Sequence, residues 1–134
     1  MTRAILAVVA GLVVWMVVAT LLNFGLRAGL AGYTLAEPTM TFTLGMKVAR
    51  LILGALASLA AGAAAGLIAQ SKTGPRWVLG AIILALFIPV HIQLWAKFPA
   101  WYHLVFLGTL LPLVAMGGAL VSARFRISPT QVGA

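Results

Sequence analysis

The stretch MKVARLILGALASLAAGAAAGLIA, residues 46–69, decides how this sequence is to be read. Past Lys47 and Arg50 its only polar side chain is Ser58, and residues 51–69 form a helix about 28 Å long against a hydrocarbon core of about 30 Å. Counted in fours from Arg50, the run gives Gly54, Ser58, Gly62 and Gly66, with Ala55, Ala57, Ala61 and Ala65 beside them. One side of such a helix carries almost no side chain. In lipid, apolar surface gains nothing by moving from one hydrocarbon to another, so close backbone contact drives helix association, and small residues four apart are its mark. Gly54, Ser58, Gly62 and Gly66 are therefore the expected helix-packing positions, and their face is an assembly surface for another helix.

Three further apolar runs have spanning length, and together the four spans are expected at about 4–26, 40–69, 77–96 and 100–123. The chain has 134 residues, of which 63% are hydrophobic and 7% charged, and its mean hydropathy is +1.15. Soluble domains carry roughly 25% charged residues. The expectation is one all-α domain, 1–134: an integral membrane protein with four transmembrane helices in an antiparallel bundle and a disordered tail at 127–134. The first run could be a signal peptide, but it is too long and ends in Asn23, Phe24, Gly25, Leu26 and Arg27 instead of a small-residue cleavage site. It is read as a span.

Nine Lys and Arg residues stand against one acid, Glu37, giving a net charge of +8. The cations sit at the ends of apolar runs, where they set topology and meet lipid head groups; no basic stripe lies on a soluble face, so nucleic acid is not an expected partner. Arg3, Lys72, Arg76, Arg124 and Arg126 fall on one side, and Arg27, Lys47, Arg50 and Lys97 on the other. With Lys47 and Arg50 counted inside the second helix, both termini are expected in the cytoplasm, although so even a balance also permits dual insertion. Lys47 and Arg50 themselves read as anchors reaching to the interface. They also fall at i and i+3 before Gly54, leading into the small-residue groove, and form the candidate site for a lipid or other anionic head group.

Gly29 and Gly32 punctuate the loop after the first span. Glu37 and Pro38 read as a helix start; threonine alternates with apolar residues over 39–44, which fits a short extended stretch, but helix is the favoured reading there. Glu37 is either a surface cap or the partner of Arg27, Lys47 or Arg50. In the third and fourth spans, Pro89 and Pro112 free the carbonyls of Ala85 and Gly108, and a kink is expected at Pro89. The brief turn Lys97, Phe98, Pro99 joins these spans as a hairpin, with Trp95, Phe98, Trp101 and Tyr102 as an interfacial aromatic belt.

Near that turn lies one polar cluster, His91, Gln93, Tyr102 and His103. Helical rise places the two imidazoles at similar depth on facing helices, so they can meet. Paired imidazoles suit haem or a quinone head group; the other reading is two interfacial histidines bonded to backbone or water. A closed metal site would need ligands this region lacks, and no metal or other cofactor is expected. The chain has no cysteine, no aspartate and no pair of carboxylates, and its serines have no local base, so an enzyme is not expected. Nothing ionisable lies within 51–69 or 77–90, which argues against a proton-coupled transporter. A pore of several copies would draw its lining from Ser58, Thr109, Thr20 and backbone at Pro89 and Pro112.

The residues Gln93, Trp95, Pro99, Trp101, Tyr102, His103, Leu104 and Pro112 resemble a pattern in small four-span bacterial inner-membrane proteins of unassigned activity. The likeness covers the last third of the chain and implies a four-helix fold and a place in the inner membrane, without a function. The membrane-embedded glutamate of small multidrug exporters is missing from the first span, as are the signatures of fluoride channels. The functional expectation is an accessory or structural subunit of a larger membrane complex, or a self-associating bundle, that binds partner helices or lipid. A small homo-oligomeric channel or transporter is the first alternative. A haem or quinone site at His91 and His103 is the second.

Overall fold

The structure, a computed structural model, describes residues 1–70 and 72–131, with backbone alone for 125–131. Its elements are α1 (Thr2–Gly29), the short α2 (Tyr33–Ala36), a 3-10 turn (Glu37–Thr39), α3 (Leu44–Ala69), α4 (Gly74–Gln93) and α5 (Ala100–Gln131). Four segments, Thr2–Gly29, Leu44–Ala69, Gly74–Gln93 and Ala100–Arg124, are long and apolar enough to cross a membrane. They pack side by side as an antiparallel bundle. One end carries the N-terminus and the α3–α4 turn; the other, called here the connector end, carries residues 30–43 and the α4–α5 turn.

Local chemistry sets the boundaries. The backbone of α1 becomes extended at Leu30, and Gly32, at φ +80°, adopts the left-handed turn that leads into α2. Helix does not continue from Glu37 into α3, which corrects the reading of 39–44. The 3-10 turn ends at Met40, whose φ of 55° is left-handed, and the chain is irregular to Thr43. There the threonine hydroxyl accepts from the Met46 N–H at 3.3 Å and caps α3, so the second span starts four residues later than 40. Pro75 occupies the first turn of α4, where a missing N–H costs nothing, and starts that helix before Trp77. The helix runs through Pro89 but stops at Gln93, short of 96; the Leu94 carbonyl then accepts from Lys97 N–H at 2.9 Å within the turn. At the other terminus α5 remains helical through 127–131, the first part of the expected tail, and 132–134 lie outside the described residues.

Helix α3 is the axis of the bundle, with α1 on one side, α5 on the other, and α4 bridging them. Its small-residue face is filled from within the chain. A Cβ on Gly62 would fall 1.9 Å from the Val114 carbonyl oxygen, and one on Gly66 would fall 2.8 Å from that of Gly118. The reciprocal position on α5 is Gly117, where a Cβ would come within 2.2 Å of the Leu59 oxygen. Backbone therefore meets backbone along this seam, the close contact that lipid favours. Farther along, the Phe106 ring covers Gly54. Ser58 is buried, donating to the Gly54 carbonyl at 2.7 Å and accepting from the Trp15 indole of α1 at 3.1 Å. The four positions are packing residues, but the helices they receive are α5 and α1 of the same chain. A partner helix cannot use that face.

Candidate functional site

Two polar constructions occupy the connector end, and they share aromatic walls. The first begins at Arg50. One turn above Gly54, its side chain turns inward, half-buried, and its Nη1 donates to the Tyr33 hydroxyl at 2.7 Å. Tyr33 is fully buried and donates in turn to Asn23 Oδ1 at 2.7 Å. The Asn23 amide reaches Glu37 Oε2 at 3.4 Å, and Arg27 closes the chain with a two-pronged ion pair to the same carboxylate, Nε to Oε2 at 3.1 Å and Nη2 to Oε1. The relay thus ties α3, α2, α1 and the 3-10 turn together. Arg27 holds the Glu37 carboxyl below the usual carboxylate range, chiefly by this hydrogen bond and further by its charge.

The only acid in the sequence is consequently matched to Arg27, leaving Arg50 without a counterion. Phe42 compensates in part, its ring centre lying 4.8 Å from the guanidinium carbon. Even so, Arg50 Nε is buried with no hydrogen-bond partner among the described residues. Arg50 lines a cleft of about 330 Å³ between α1 and the other three spans. Asn23 and Arg27 line it from α1, Leu53 from α3, Phe87 from α4, and Tyr102 and Phe106 from α5, while Trp15 forms its deep wall. Polar groups at one end and aromatic carbon at the other give the cleft the profile of an amphiphile.

The second construction is the histidine pair. His91 and His103 meet across α4 and α5 with their Nδ1 atoms 2.7 Å apart, so one ring must donate and the other accept, in different tautomers. Both are buried; Trp95 stacks on His103 at 4.7 Å, and Phe106 covers His91 at 4.8 Å. His103 Nε2 is buried with no hydrogen-bond partner among the described residues. Tyr102 lies beside His91, with ring centres 6.2 Å apart. Gln93 does not join them: two residues on from His91 it falls on the opposite side of α4 and is exposed. Axial nitrogens on a haem iron stand about 4 Å apart with a macrocycle between them, and rings in direct contact provide no such slot. The pair bonds to itself.

The Lys47 side chain makes no hydrogen bond among the described residues and does not line the cleft, so of the two cations expected at a head-group site only Arg50 lines it. Of the residues considered for a pore, Ser58 is buried between α1 and α3, and Thr109 bonds back to the Val105 carbonyl at 2.6 Å on an exposed face. Thr20 lines the cleft. Sequence reasoning passed over Trp15 and Tyr33; the signal for Tyr33 was its position directly after Gly32, in a segment with a single acid, Glu37, and three basic residues nearby, Arg27, Lys47 and Arg50. Comparison with protein-family models, with curated proteins and with solved structures gives no match.

Proposed function

We propose that this chain is a non-enzymatic membrane protein that holds an anionic amphiphile in the Arg50 cleft, serving as an accessory bundle in a larger inner-membrane complex or in an assembly of its own copies. Its termini are on the cytoplasmic side, following the excess of Arg and Lys at that end. The observation that carries the reading is the state of Arg50. A guanidinium half-buried in a bundle, without an acid and with an unbonded Nε, costs several kcal/mol unless an anion completes it. The adjoining walls are apolar, and the surrounding medium supplies molecules with a charged head and an apolar tail.

Partner chains, on this reading, bind through the outward faces of α1 and α4 or through the bound amphiphile, since the glycine face is taken by α5. The test is native mass spectrometry of the intact species extracted from membranes in a mild detergent, comparing the unmodified chain with Arg50→Gln. The expected result is an anionic adduct retained by the first and lost from the second at equal helicity. Identical adducts on both would refute the reading. Additional polypeptides at fixed ratio would identify the complex that it serves.

A further inference from the structure

We propose that the occupant of the Arg50 cleft is a single-chain amphiphile ending in a carboxylate, of the fatty-acid class, an inference that rests on the anionic-amphiphile reading above. Three observations narrow the class. The first is charge. The residues lining the cleft include two cations, Arg27 and Arg50, and no acid; Glu37 neutralises the first from the side, so one positive charge is left for the ligand to match. A terminal phosphate monoester, at about −1.5 to −2, exceeds it.

The second is the shape of the free donor edge. Nη1 of Arg50 is engaged by Tyr33, Nε is buried with no hydrogen-bond partner among the described residues, and the Tyr102 hydroxyl stands beside the guanidinium as a further polar group of the cleft. Nε and Nη2 form the side-on edge of the guanidinium fork, whose two parallel N–H bonds match the two oxygens of a planar carboxylate. Beyond the guanidinium the way is closed by Phe42 and the fully buried Tyr33, whose rings stack at 5.1 Å. A head group that ends at the anion fits there. A phosphodiester, which continues past its charge into glycerol and a further substituent, does not.

The third is the path for the tail. Trp15 and Phe87, in contact at 4.8 Å, wall the cleft and also line a groove of about 220 Å³ between α1 and α4, whose other lining residues are all aliphatic or methionine. Met16 and Leu86 on its rim are exposed on the outer surface, where lipid lies. A groove of this volume, walled by α1 and α4 alone, suits one chain.

The experiment titrates the full-length protein in a neutral detergent with dodecanoate, dodecyl phosphate, phosphatidylglycerol and a short-chain ubiquinone, reading bound ligand by native mass spectrometry and equilibrium dialysis. Saturable binding of one dodecanoate per chain is expected, preferred over the other three. Arg50→Lys, which keeps the charge and loses the fork, should weaken it by about tenfold, whereas Lys47→Gln should leave it unchanged. Ala19 of α1 also lines the cleft, so Ala19→Phe fills it while leaving the arginine in the sequence and should also block binding, with helicity by circular dichroism as the control for each variant. Tighter binding of phosphatidylglycerol or dodecyl phosphate, with Arg50→Lys harmless, would overturn the carboxylate class and leave the anionic-amphiphile reading standing. Preference for the quinone, or no saturable binding of any anion, would overturn both.

Discussion

Replacing Gly62 by alanine tests the glycine seam with the addition of one carbon. The new Cβ would lie 1.9 Å from the Val114 carbonyl oxygen and 2.8 Å from its carbon, well inside the 3.0 Å that real Cβ contacts respect. Neither neighbour is a rotatable side chain, so relief requires α3 and α5 to separate by roughly an ångström, and a gap of that size forfeits a quarter to a half of the dispersion energy of each contact along the seam. Overpacking costs about 1–3 kcal/mol, and an obstacle made of backbone puts this site at the upper end. Alanine recovers about 1 kcal/mol of helix propensity, which leaves a net loss of about 2 kcal/mol. Gly108→Ala is the control: on the same α5, nothing lies within 4 Å of its Cβ, so only the propensity gain applies. Reversible unfolding in mixed micelles, followed by circular dichroism against the fraction of denaturing detergent, measures both. A Gly62→Ala protein as stable as the parent, or a Gly108→Ala protein equally weakened, would refute the backbone-contact account.

Two further outcomes follow from the connector end. Because Arg27 depresses the pKa of Glu37 in the folded state, the ion pair's contribution is fully present above the ordinary carboxylate range and is lost as pH falls through the depressed value; the connector should become protease-sensitive only at a pH below the ordinary carboxylate range, and Glu37→Gln should be sensitive already at neutral pH. An acid-induced opening that persists unchanged in Glu37→Gln would contradict this. For the histidine pair, His91→Leu or His103→Leu alone strands the other buried imidazole at a cost of about 1–3 kcal/mol, while the double substitution should cost clearly less than the two together. Additive losses in that cycle would mean that the Nδ1 contact contributes nothing.

The helices were legible because spanning length is a local property: about 20 apolar residues between cations identify a span wherever its neighbours lie. The meeting of His91 with His103 was legible too, since a short hairpin fixes the depth of both. What the small face of α3 receives was not. Spacing reports that a helix can come close, and nothing in residues 46–69 distinguishes a helix of the same chain from that of a partner; the matching signal, Gly117 and Gly118, lies about fifty residues away. Alternating Thr and apolar residues over 39–44 did carry a two-residue period, and the proline pattern at Glu37 and Pro38 masked it. Here the 3-10 turn and the Thr43 cap decided the outcome. Arg50 was read by its cost in lipid as an anchor reaching outward. The fold turned it inward because Tyr33 offers a hydroxyl and Phe42 a ring face, partners from a connector whose position no periodicity reveals.

The unequal filling of the α3–α5 seam also shapes the molecule. Toward the chain termini the two helices touch glycine to glycine; at Gly54 the thickness of a phenyl ring stands between them. The same ring is also a wall of the cleft beside Arg50, so the one side chain that spaces α5 from Gly54 also bounds the chamber, and a smaller residue at position 106 would alter the seam and the cleft together.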